Sequence, residues 1–141
     1  MTAATATAVA AVFVWLGMVI AISFIEAPLK FRAPGVTTRI GLGIGRLVFR
    51  MLNAAEAALA AVVVIAAVVA APPPRVITPG AVVIAVLAVQ LAAVRPWLTR
   101  RSDRVLAGEE APRSRAHYLY IGLELVKVIA LLVTGILLLA P

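Results

Sequence analysis

Three ionisable residues stand where ionisable residues are costly. Glu56, Glu124 and Lys127 interrupt stretches of alanine, valine and leucine that are otherwise almost free of charge. A charge near the centre of a membrane helix costs about 2.5–3.5 kcal/mol unless it is paired or hydrated. All three are therefore expected to face a bundle interior, a water-filled cavity or another subunit. Their neighbours in register are polar too. At about 100° per residue, His117, Tyr120, Glu124 and Lys127 fall within about 80° of helical arc. Arg46, Asn53 and Glu56 share a second helix face, with the spacing of a left-handed bundle seam. Gln90 on a third helix and Glu26 at the end of the first are placed to join them.

Two kinds of chemistry fit this set. In the structural reading, Glu124 pairs with Lys127 one turn away and Glu56 bonds Asn53, Tyr120 or an arginine, fixing helix register. In the functional reading, the residues line a small polar cavity open to the cytoplasm that holds a substrate head group or relays protons. Other chemistry is excluded. The chain has no cysteine, so disulfides, thiolate metal sites and cysteine nucleophiles are absent. Its single histidine, His117, cannot build a multi-histidine metal site or a bis-histidine haem site within one chain. No catalytic set, metal or cofactor is expected.

The elements that must carry these residues follow from composition. Of 141 residues, 64% are hydrophobic and 13% charged, and mean hydropathy is +1.11. A soluble domain runs near 45–50% apolar and about 25% charged. Crossing a bilayer takes roughly 20 apolar residues, so four spans fit and five do not. The expected fold is an all-α integral membrane protein, a single domain forming a four-transmembrane-helix bundle. Spans are expected at about 5–25, 46–71, 81–98 and 116–139, with an interfacial helix start at about 38–45. Pro28 is expected to end the first helix, Thr38 to cap the second, Pro72-Pro73-Pro74 to stop it, and 75–80 to form a turn. The first run lacks the basic start and cleavage site of a signal peptide. Trp15, Trp97, Tyr118 and Tyr120 read mainly as aromatics of the membrane interface.

Net charge is +7, yet the bases lie almost wholly between the spans, which argues for topology rather than nucleic acid. Lys30, Arg32, Arg39, Arg46 and Arg50 flank the first connector, while Arg95, Arg100, Arg101, Arg104, Arg113 and Arg115 flank the third. The middle connector has only Arg75. By the positive-inside rule both basic connectors are cytoplasmic and both termini face outside. The bases also suit anionic lipid head groups at that face. The Ala/Val/Arg-rich composition suggests a bacterial inner membrane. Gly41 and Gly45 form a small-xxx-small pair that permits close helix approach. The same glycines lack the preceding strand that a phosphate-binding loop requires.

The first connector, Glu26-Ala27-Pro28-Leu29-Lys30-Phe31, the glycine-rich start of the second helix and His117 opening the last helix resemble a family of small four-span membrane proteins. That family includes eukaryotic transmembrane protein 205. The resemblance rests on Pro28, Phe31 and His117 and implies a fold rather than an activity. Glu124 and Lys127 are not part of its pattern. Function is expected to be that of an accessory or scaffold subunit, partnered by another membrane protein. The alternatives are a homo-oligomeric transporter or channel using the polar cluster, and a membrane enzyme on a lipid-like substrate with His117 or Glu124 as base.

Overall fold

The computed structural model describes residues 1–110 and 115–141, so Arg113 lies outside the described residues. The described residues form four long helical stretches: α1 (Ala3–Arg32), α2 (Thr38–Ala70), α3 (Pro74–Leu106) and α4 (Arg115–Leu139). Each is long and apolar enough to cross a membrane, and no strand occurs among the described residues. This is the architecture of a multi-pass membrane protein.

Local chemistry explains the ends. Thr2 caps α1 by accepting from the Thr5 amide at 3.1 Å. Thr37, one residue before the expected position, caps α2 by accepting from the Ile40 amide at 3.2 Å. Ala71 ends α2 in the left-handed conformation at φ 46°, and Pro72-Pro73 carries the chain to α3. Arg75 at the start of α3 donates to the Pro141 carbonyl at 3.0 Å. At the opposite end of the bundle Arg46 of α2 pairs with Asp103 of α3 at 2.6 Å.

Three local expectations are corrected. Pro28 does not end α1, which continues to Arg32. The stretch 75–80 is not a turn, because α3 begins at Pro74 and passes through Pro79. Nor does α3 stop near Leu98; its polar tail is helical to Leu106. The prolines are tolerated for a reason visible in two places. Ile20–Glu26 in α1 and Gln90–Val94 in α3 are wide π-helical turns, and Pro28 and Pro96 follow just beyond them. Proline cannot donate to the carbonyl four residues back and crowds it; a widened turn gives that carbonyl room.

Helix α1 packs along both α2 and α4, and α4 also packs along α3, whereas α2 and α3 meet chiefly at the basic end. Val12, Trp15, Leu16 and Val19 of α1 join Val83 and Leu87 of α3 and Ala130 and Leu131 of α4 in the apolar core. The close approaches use glycine. A Cβ on Gly135 would lie 2.7 Å from the Phe13 ring, and one on Gly41 would overlap the Phe31 ring. Outward faces carry exposed Val64, Ile65, Val68, Val69, Ile129 and Ile136, as lipid contact demands.

Candidate functional site

The centre of the site is a buried ionic network. The Lys127 ammonium lies 2.6 Å from Glu56 Oε2, 2.6 Å from Glu124 Oε1 and 2.7 Å from Gln90 Oε1. An ammonium has three N–H donors, and these three acceptors use all of them. The Gln90 amide turns its other end to Glu124, donating to Oε1 at 3.0 Å. Trp15 Nε1 donates to Glu56 Oε2 at 2.8 Å, and the Ser23 hydroxyl donates to Glu124 Oε2. Glu56, Glu124, Lys127, Gln90 and Trp15 are at most 1% exposed. Formally, two carboxylates share one ammonium, and neutral donors from three other side chains spread the remaining charge.

Each π turn supplies one of these donors, Ser23 from α1 and Gln90 from α3. Such turns re-aim side chains and are frequent at functional sites. Here they bring two neutral polar groups onto the same carboxylate.

Above the network, toward the basic end, lies a cavity of about 630 Å³ to which Glu124 contributes the floor. Its wall combines bases (Lys30, Arg46, Arg50, Arg95, Arg101) with rings (Phe24, Phe31, Phe49). Some of these bases are already engaged: Lys30 pairs with Glu26 at 3.5 Å, and Arg46 with Asp103. Arg95 is held differently. Its guanidinium carbon lies 4.7 Å from the centroids of both Phe49 and Tyr120, two rings set edge to face at 86°. Cation–π attraction holds the charge in that corner. Beyond the network, the apolar core fills the bundle.

The nine residues singled out by type and spacing thus divide. Glu56, Gln90, Glu124 and Lys127 form the network. Arg46, Asn53, His117 and Tyr120 line the chamber together with Glu124, while Glu26 pairs with Lys30 beside it. Glu56 does not bond Asn53, Tyr120 or an arginine; its partners are Lys127 and Trp15. Trp15 is therefore a buried donor and not an interfacial aromatic, and Tyr120 is 93% buried, being 7% exposed. Trp97 and Tyr118 are exposed. Sequence reading missed Ser23, Trp15, Ser102 and the special setting of Arg95. The available signal was the pair of prolines after Ser23 and Gln90, which mark where each helix must widen. The chain matches no family model, no curated protein and no solved structure.

Proposed function

We propose that the protein is a small carrier-type membrane protein that takes an anionic ligand into the chamber from the cytoplasmic side. The observation that carries this reading is the chamber itself: about 630 Å³ enclosed by a single chain, walled by basic side chains and floored by a buried ionic network. That volume is within the range of small-molecule sites. A single chain thus forms a space of that size without a second copy. The positive-inside rule places the basic end, and with it the mouth, in the cytoplasm and both termini outside. Composition favours a bacterial inner membrane. Pro28, Phe31 and His117, which carry the resemblance to the transmembrane protein 205 family, all line the chamber.

The accessory-subunit expectation rests on small size and small-residue helix faces, and neither accounts for a chamber. Catalysis by Glu124 is disfavoured because both its oxygens are engaged, by Lys127, Gln90 and Ser23. The test is native mass spectrometry of the protein extracted in mild detergent from its own membrane. A small retained mass on the single chain, lost when Thr99→Trp fills the chamber, is the expected result. A stoichiometric larger protein partner with no small retained mass would return the accessory-subunit reading.

A further inference from the structure

The chamber wall carries four buried polar atoms without an ordinary hydrogen bond. Arg95 Nε and Nη2, the Tyr120 hydroxyl and the Ser102 hydroxyl each present almost no surface to water, so a ligand reaches them by displacing what covers them, and none makes a hydrogen bond of ordinary geometry among the described residues; the Tyr120 hydroxyl and the Arg95 guanidinium interact with each other. All three residues line the same cavity, and Tyr120 and Ser102 are more than nine-tenths buried. An unmade hydrogen bond at a buried polar group costs about 1–3 kcal/mol, and such groups are few in native proteins. Four around one cavity form a pattern that calls for an acceptor.

Their chemistry says which acceptor. Nε and Nη2 form one edge of the guanidinium fork, whose parallel N–H bonds match two oxygens on one phosphorus or carbon. The Phe49 and Tyr120 rings fix the plane of that fork, so little freedom is lost on binding. Two hydroxyls add donors beyond what a planar two-oxygen group needs, which favours a tetrahedral group with three free oxygens. Lys30 and Arg50 on the same wall add positive charge. The rest of the space is far larger than a phosphate and is bordered by Phe24, Phe31 and Leu98, surfaces for an apolar remainder.

We infer that Arg95, Tyr120 and Ser102 form an oxyanion clamp for the phosphate group of the ligand, with its apolar part lying against the phenylalanines. This deepens the proposed function and rests on it. Glu124, pinned at the floor by Lys127, Gln90 and Ser23, repels the anion from the deep end and sets its depth at Arg95. The phosphate is borne either by a membrane amphiphile or by a soluble phosphorylated solute; the clamp chemistry is common to both.

The test measures binding to the purified full-length protein by thermal shift and native mass spectrometry, with dodecyl phosphate, inorganic phosphate and dodecanoate as probes. Dodecyl phosphate is expected to bind and stabilise. Arg95→Gln and Arg95→Lys should each weaken it roughly tenfold or more, the second because an ammonium keeps the charge but lacks the fork. Tyr120→Phe and Ser102→Ala should each weaken it several-fold, consistent with one hydrogen bond apiece. Arg104→Gln, at an exposed base paired with Glu109, should leave it unchanged, and melting of each variant without ligand checks that it folds. Binding of dodecyl phosphate but not inorganic phosphate supports the clamp and identifies an amphiphile. Competition by inorganic phosphate at similar concentration supports it and identifies a soluble source. Dodecanoate binding as tightly as dodecyl phosphate overturns the phosphate assignment. If dodecyl phosphate binds, is displaced by Thr99→Trp, and survives Arg95→Gln, the clamp is wrong and the chamber reading stands. If no probe binds the folded protein, both fall.

Discussion

Removing the Lys127 ammonium should be the most damaging single change in the bundle. Its side chain is fully buried, and its three contacts at 2.6, 2.6 and 2.7 Å are with two carboxylates and an amide oxygen. Lys127→Met leaves Glu56 and Glu124 without the cation they share, in a setting where breaking a buried ion pair costs about 3–5 kcal/mol. Domains are typically stable by only about 5–15 kcal/mol, so roughly a fifth or more of the total is at stake. The three-membered network also predicts an order of rescue. Glu124→Gln/Lys127→Met still strands the Glu56 carboxylate with Trp15 as its remaining donor, so it should recover only in part. Glu56→Gln/Glu124→Gln/Lys127→Met removes all the charge, yet leaves amide oxygens for Trp15 and Ser23. It should recover more stability than the double variant, since no buried charge is left unpaired, the unmet N–H donors of the two new amides being the remaining cost. Unfolding by SDS titration in mixed micelles reads this, with Trp15 fluorescence as the local reporter in a Trp97→Phe background. An unchanged midpoint for Lys127→Met would refute the reasoning. So would a double variant as stable as the triple, which would remove Glu56 from the network.

Gly135→Ala should destabilise by about 1–3 kcal/mol, the usual cost of overpacking, because the new methyl meets the Phe13 ring at 2.7–3.2 Å; Phe13→Leu in the same chain should restore most of the loss. Gly41→Ala makes a closer contact with the Phe31 ring, but should cost less in the same unfolding assay, since Phe31 is 39% exposed and its ring can swing away. For topology, the absence of cysteine makes single-cysteine labelling direct. Arg75→Cys and Ala140→Cys should react with an impermeant maleimide in intact cells, and Arg104→Cys only after permeabilisation; the reverse pattern would invert the proposed orientation.

The ionic network and the chamber also bear on each other. Glu124 belongs to both: it is the acceptor for Lys127, Gln90 and Ser23 and the floor beneath the bases. Under the proposed function, ligand charge brought to Arg95 would act on the same carboxylate that ties α4 to both π turns.

Much of this was legible in the order of the residues alone. Four membrane-length helices, the bases gathered at the first and third connectors, and the shared faces of Glu56 and of Glu124 with Lys127 all follow from apolar run length and helical period. Those are one-dimensional properties, set within about twenty residues of chain. Lys127's full set of partners was not legible, because it required Glu56 and Gln90 from two other helices. Trp15 reaches Glu56 across 41 positions and Ser23 reaches Glu124 across 101, and nothing local to either residue separates a buried donor from an interfacial aromatic or a passing serine. The prolines misled for a related reason: taken singly they break helices, whereas packed neighbours hold a widened turn that accommodates them. The corner of rings around Arg95 exists only where α2, α3 and α4 come together, so tertiary packing alone decided that an arginine counted toward topology also borders the chamber, held beside Phe49 and Tyr120.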